Sequence, residues 1–128
     1  MQTLRRIVVG IDFSECAERA LDTAITLAQA ARARVTIAHV CEPDDELEDP
    51  RLEHALRRLV ASHQHHDLEV TGVLRSGKPW DKLNNVAIQV GAGLIVVGRG
   101  RRELGSVADR LVRIASRPVL VVGSDWTG

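Results

Sequence analysis

The chain has 128 residues, 45% of them hydrophobic, which is enough for one domain over residues 1–128 with a substantial core. Its 17 basic and 17 acidic side chains cancel, and its aromatic residues are one phenylalanine and two tryptophans, so neither charge nor base stacking supports a nucleic-acid partner. No apolar run reaches bilayer length and no signal-peptide pattern opens the chain, so we expect no membrane association and a cytoplasmic location.

Strands and helices are predicted to alternate along the chain. The segment 5–11, which is apolar from Ile7 onward, predicts a buried strand, and Ser14 is placed to cap the helix that follows. Pro79 is placed in the first turn of a later helix, and Gly91 just past its end. The predicted strands cover residues 5–11, 35–40, 68–74, 94–97 and 118–122, and helices follow the first four from about residues 14, 51, 80 and 106.

A glycine-rich turn joins the fourth strand to the fourth helix. Gly98, Gly100, Gly105 and Ser106 separate the apolar run 94–97 from residues with helical spacing. Glycines let a backbone approach a phosphate closely, and the first amides of a helix carry the positive end of its dipole. The turn therefore has two interpretations: a phosphate cradle, or an ordinary turn in which Ser106 caps the helix.

The alternation of elements predicts an α/β fold, a doubly wound parallel sheet of five strands with helices on both faces. Such sheets bind ligands at the carboxyl ends of the strands, where the strand order reverses. If the first strand neighbours the fourth there, Asp12 and the glycine-rich turn meet in one crevice. Asp12 also has a local interpretation, as a strand-end residue that caps the first helix.

Several segments together resemble the universal stress protein family along nearly the whole chain. The resemblance implies a sheet with strand order 3-2-1-4-5, a homodimer and, in one branch, a site for ATP with magnesium. There the acidic residue after strand one holds the ribose, the backbone ending strand two meets the adenine, and the glycine-rich turn takes the phosphates. The segments that carry the resemblance are Ile7-Val-Val-Gly-Ile-Asp-Phe-Ser14, Ile37-Ala-His-Val40, Gly77-Lys-Pro79, Leu94-Ile-Val-Val-Gly98, Gly105-Ser-Val-Ala108 and Arg117-Pro-Val-Leu-Val-Val122.

Carried onto this sequence, the resemblance implies that Asp12 binds the ribose, the backbone of Val40 contacts the adenine and the glycine-rich turn binds the phosphates. In the family's ATP signature two residues separate the first two glycines and nine separate the second from a third, which Ser or Thr follows. The spacing here is shorter, because only one residue separates Gly98 from Gly100 and four separate Gly100 from Gly105. A shorter turn offers fewer amides, although Arg99, Arg101 and Arg102 supply charge that either contacts phosphate or lies in solvent. The implied binding residues are Ile11, Asp12, Val40, Gly98, Gly100, Gly105, Ser106 and Val107.

Two functions follow, and the sequence leaves both open. One is a stress-response protein that binds adenine nucleotide, and the other is a dimeric adaptor that binds no ATP and works through a protein partner. We do not expect the protein to be an enzyme, because the sequence shows no nucleophile with a paired base and no carboxylate pair, although slow ATP hydrolysis is not excluded. The apolar last strand, Val119–Val122, is predicted to form the homodimer edge.

Two further clusters are weaker candidates. The histidines of the second helix and its end fall in polar sequence, so we interpret them as solvated rather than as a metal site. Cys16 follows the start of the first helix and Cys41 follows the second strand, which admits a redox-sensitive pair or two ordinary half-buried cysteines. The histidines are His54, His63, His65 and His66.

Overall fold

The computed structural model describes residues 4–41, 49–100 and 106–123, with Ser106 described in its backbone alone. Strands and helices alternate as predicted. β3 is shifted toward the carboxyl end relative to the prediction, because Leu68 instead pairs with His65 in an isolated bridge. The elements are β1 (Arg6–Ile11), α1 (Glu15–Ala31), β2 (Arg34–Cys41), α2 (Pro50–His63), β3 (Val70–Ser76), α3 (Pro79–Val90), β4 (Leu94–Gly98), α4 (Ser106–Ile114) and β5 (Val119–Val122).

The strands form one parallel sheet in the order β3-β2-β1-β4-β5. This confirms both the predicted fold class and the strand order that the family resemblance implied. β1 lies at the centre, where Ile7 pairs with Val35 of β2 on one side and with Leu94 of β4 on the other. Every residue of β1 after Arg6 is buried, which explains its continuous apolar sequence.

Hydrophobic side chains fill both faces of the sheet. On one face, alanines of α1 such as Ala20, Ala24 and Ala28 are completely buried, so their small side chains bring the helix close to the strands. On the other face, Leu83 of α3 and Leu111 of α4 pack over the central strands. The layers hold the carboxyl ends of the strands in fixed positions relative to the helices that follow.

The helix termini follow the chemistry expected from the sequence. Ser14 caps α1, since its hydroxyl accepts a hydrogen bond from the Ala17 N–H at 3.2 Å. Pro79 begins α3, and Gly91 ends it in the left-handed conformation. α4 includes Ser106 as its first residue rather than beginning after it. Within the described ranges, none of the helices combines the length and the apolar character that a membrane crossing requires.

Truncation of Leu21 tests how much the α1 layer contributes to stability. The side chain is 2% exposed, so Leu21→Ala is expected to lower the free energy of unfolding by about 2–5 kcal/mol through lost burial and the cavity left behind. Ile88→Ala is the matched control, because Ile88 is 49% exposed and its truncation is expected to change that free energy by less than about 1 kcal/mol. Urea unfolding measures both, and equal losses would contradict the assignment of the core.

Candidate functional site

A cavity of about 370 Å³ opens at the carboxyl ends of β1, β2 and β4. At this position the chain winds from β1 to β2 on one side and from β3 to β4 on the other, which is where open α/β sheets bind ligands. The cavity brings together most of the residues that the sequence singled out. Those on its wall are Ile11, Asp12, Val40, Gly98, Gly100 and Val107.

Two of the predicted residues are not placed on the wall. Gly105 lies outside the described residues, and nothing is described of the Ser106 side chain. The predicted role of this part of the turn in holding phosphate therefore stays a prediction. The backbone of Ser106 nevertheless begins α4, so the amino end of a helix follows the glycine-rich turn as predicted.

Sequence reasoning missed several residues of the wall. Cys16, His39, Pro79 and Leu83 also line the cavity. For His39 and Pro79 the signal was present, because both lie in segments that carry the family resemblance, and His39 also adjoins Val40. Leu83 and Cys16 reach the cavity by helical spacing, one turn after Pro79 and at the start of α1, and only the packing of those helices shows it.

The carboxylate of Asp12 belongs both to a local turn and to the cavity. Its Oδ1 accepts a hydrogen bond from the Ser14 N–H at 3.0 Å. Phe13, between them, has a left-handed backbone with φ of 64°. The cap of α1 is Ser14 rather than Asp12, so the interpretation of Asp12 as the helix cap is replaced by a turn that Asp12 closes. Among the described residues, no hydrogen bond engages its Oδ2, and that oxygen can accept from a ligand.

The glycines of the turn after β4 have structural reasons of their own. A side chain at Gly98 would place its Cβ 2.9 Å from the carbonyl oxygen of Cys16, so only glycine lets α1 lie against the end of β4. Gly100 has φ of 90°, a conformation that favours glycine. The Arg99 N–H donates to the Val122 carbonyl at 2.8 Å and is not available to an anion. Close packing explains Gly98 and backbone conformation explains Gly100, with or without a phosphate.

Two cationic side chains contact Trp80, and both are close in sequence to residues of the cavity wall. Lys78 Nζ lies 5.7 Å and Arg110 Cζ 5.3 Å from the ring centre of Trp80, so the indole holds two cations by cation–π contact. Lys78 adjoins Pro79, which lines the cavity, and Arg110 lies one helical turn after Val107, which also lines it. Asp12 is the one carboxylate on the described wall, which holds no lysine or arginine, so these two cations lie outside the cavity lining.

The weaker candidates of the sequence lie in different places. Ligand atoms of His65, His66 and Asp67 come within 4.8 Å of one another and all three side chains are exposed, while neither His54 nor His63 is in this group. The solvated interpretation of the histidines stays a prediction. Cys16 lies near Gly100 at the cavity, whereas Cys41 is buried in β2 beside Ser76 of β3. With such different neighbours the redox pair gains no support, and it stays a hypothesis.

Comparison with known proteins gives one consistent result. The sequence model of the "Universal stress protein family" matches residues 3–123. A universal stress protein of Thermus aquaticus, from the 3′ region of a QAH/OAS sulfhydrylase, is 34% identical over 92% of this chain and 98% of its own.

Solved structures agree with the sequence comparison. A universal stress protein in complex with cAMP has a TM-score of 0.81 and 27% identity, covering 97% of this chain and 100% of its own. A universal stress protein of Archaeoglobus fulgidus in complex with dAMP has a TM-score of 0.75 and 28% identity, covering 94% of this chain and 99% of its own.

The close approach of α1 to β4 can be tested at Gly98. Gly98→Ala is expected to lower the free energy of unfolding by about 1–3 kcal/mol, because the new methyl group meets the Cys16 backbone rather than a movable side chain. Gly123→Ala is the control, since an added Cβ there has no neighbour within 4 Å among the described atoms and is expected to be neutral or slightly stabilising. Thermal and urea unfolding measure both, and a neutral Gly98→Ala would contradict the packing described.

Proposed function

Because the chain belongs to the universal stress protein family, we propose that its cavity binds an adenine nucleotide and that this binding is part of a stress response. The observation that carries the proposal is the meeting of Asp12, Val40 and Gly98 in one cavity at the point where the strand order reverses. Two structurally similar proteins were solved with cAMP and dAMP, and we extend that ligand class to this chain.

Each part of the nucleotide has a partner in the proposed complex. The carboxylate of Asp12 accepts hydrogen bonds from the ribose hydroxyls, and the backbone of Val40 with the neighbouring Ile11 meets the adenine. The phosphate lies toward Gly98, Gly100 and the amino end of α4. Gly105, Ser106 and Val107 are the residues around that helix start in the sequence. Lys78 and Arg110 add attraction for its negative charge.

A mononucleotide fits this site better than a triphosphate. The glycine-rich turn is short, with four residues between Gly100 and Gly105, and the Arg99 amide is already bonded to Val122. A triphosphate needs several donors at once to balance its charge, whereas a single phosphate is satisfied by one helix terminus. ATP with magnesium is the larger ligand in the same proposal, and its metal would rely on phosphate oxygens because Asp12 is the one carboxylate on the described wall.

The proposal is one of binding rather than catalysis, and we place it in the cytoplasm. The relatives reported above are named as stress proteins. Slow hydrolysis of ATP would be compatible with the same site and is measured by phosphate release. An adaptor that binds no nucleotide is the competing function, and titration separates the two.

Calorimetric titration with adenosine monophosphate is the direct test, with ATP and magnesium as the second ligand. We expect saturable binding by the wild-type chain. Asp12→Ala is expected to weaken that binding at least about tenfold, because it removes a charged acceptor from the ribose. Asp22→Ala is the control, since Asp22 is exposed on α1 and does not line the cavity.

The expected control result is unchanged affinity in Asp22→Ala, with both variants still folded at the temperature of the titration. Absence of heat with either ligand would support the adaptor instead. Equal weakening in the two variants would contradict the assignment of Asp12.

We further propose that the protein acts as a homodimer through β5. This strand is at the edge of the sheet, and its residues Val119, Leu120 and Val121 are only partly buried. Val112 on the adjoining α4 is 57% exposed. An apolar strand with one unpaired edge is stabilised by pairing with a second copy, which covers the edge and the side chains beside it.

Substitution at Val121 tests the dimer. The carbonyls of Pro118 and Val122 bond β4, so by the alternation of a parallel ladder the backbone of Val121 faces the open edge. Val121→Pro removes an N–H that a partner strand would use, while proline is tolerated at the edge of a sheet. Sedimentation at micromolar concentration is expected to give twice the chain mass for the wild type and the chain mass for the variant. A wild-type monomer would contradict the proposal.

A further inference from the structure

The turn Asp12–Ser14, at the edge of the cavity, is held in a costly conformation. Phe13 has φ of 64°, which brings the Cβ of a residue other than glycine too close to its own backbone. Such a conformation persists only where the surrounding contacts determine it. The turn closes through the Asp12 carboxylate itself, which accepts from the Ser14 N–H at 3.0 Å. The direction of that carboxylate therefore depends on whatever holds the turn.

His39 contacts this turn from the neighbouring strand. Its Nδ1 lies 2.8 Å from the Ile11 carbonyl oxygen, and its ring centre lies 4.9 Å from that of Phe13, with the planes tilted by 56°. A carbonyl oxygen can only accept, so Nδ1 carries the proton and donates. The hydrogen bond and the ring contact hold the residues on both sides of Asp12.

The position of His39 in the core is unusual for its residue type. It is 9% exposed and is the one polar residue classed as buried within the described ranges. Burying a polar side chain lowers the stability of the fold unless the side chain makes a hydrogen bond. His39 makes one, to the carbonyl of Ile11, and it joins β2 to the last residue of β1. His39 also lines the cavity next to Val40.

We propose that His39 is a positioning residue for nucleotide binding, one that keeps the Asp12 carboxylate directed at the ribose by fixing Ile11 and Phe13. The inference rests on the proposed function, since it assigns a role within that same site. It differs from a purely structural role in one consequence: loss of His39 weakens ligands that carry ribose hydroxyls and leaves ligands without them largely unaffected.

The test compares two variants and two ligands. His39→Leu removes the donor and keeps an apolar side chain of similar size, whereas His39→Asn keeps an N–H donor near the position of Nδ1. Adenosine monophosphate and its 2′,3′-dideoxy analogue are titrated into each protein by calorimetry. We expect His39→Leu to weaken adenosine monophosphate about tenfold and the analogue less than about twofold, because contacting groups in one network are coupled. His39→Asn is expected to restore most of the affinity for adenosine monophosphate.

Equal weakening of both ligands by His39→Leu, or no weakening of either, would overturn the positioning role. Amide hydrogen exchange at Ser14 supplies a readout that needs no ligand, and this amide is expected to exchange faster in His39→Leu than in the wild type. Should His39→Leu fail to fold, the same comparison is made between His39→Asn and His39→Gln, whose amide lies one carbon farther out, and equal Ser14 exchange in the two would overturn the role. A wild type that binds neither ligand would refute the proposed function. If the wild type binds but Ser14 exchanges equally fast in His39→Leu and in the wild type, only the role of His39 would be refuted.

Discussion

The parallel hydrogen bonding of β1 on both of its sides is the constraint on which the rest of the structure depends. β1 pairs with β2 and β4, which the chain reaches by winding in opposite directions, so the segments that follow these strands separate at their carboxyl ends. A hollow forms there as a consequence of topology. The completely buried side chains of Ile7, Val8 and Val9 hold this strand in place, so the strand that ends at the cavity also runs through the core.

The proposed site consists of short segments at the ends of buried strands. Asp12 follows β1, Val40 lies near the end of β2, and Gly98 ends β4. None of them has to move far to meet a ligand, because the sheet already positions their backbones. The cations around Trp80 are Lys78, which caps α3, and Arg110 of α4.

Much of this arrangement could be predicted from the sequence because its determinants are local. The apolar run before Asp12 indicated a buried strand, and the placement of Ser14, Pro79 and Gly91 indicated helix ends that the structure confirms. The bond from His39 to Ile11 could not be predicted, because it joins residues 28 positions apart and depends on the register of two strands. The cation–π group around Trp80 was missed for a similar reason, since Arg110 reaches the ring only once α3 and α4 are packed.

The reason for a glycine at position 98 also required the structure. From sequence alone, Gly98 was interpreted through its possible approach to phosphate, yet the Cys16 carbonyl already excludes a side chain there. A residue can serve both requirements, since a backbone that lets a helix approach closely also lets a ligand do so. A second open groove, between α2 and β3 beside Leu56 and Gly72, has no such convergence of polar groups with strand ends.

The central claim is that the nucleotide binds in the cavity at the strand ends, and the groove beside Leu56 and Gly72 is the alternative binding place. Amide proton–nitrogen correlation spectra, recorded as adenosine monophosphate is added, report which residues meet the ligand. Saturable changes at Asp12, Val40 and Gly98 are the predicted result. A spectrum that does not change, or one whose changes lie at Leu56 and Gly72 instead, would contradict the account.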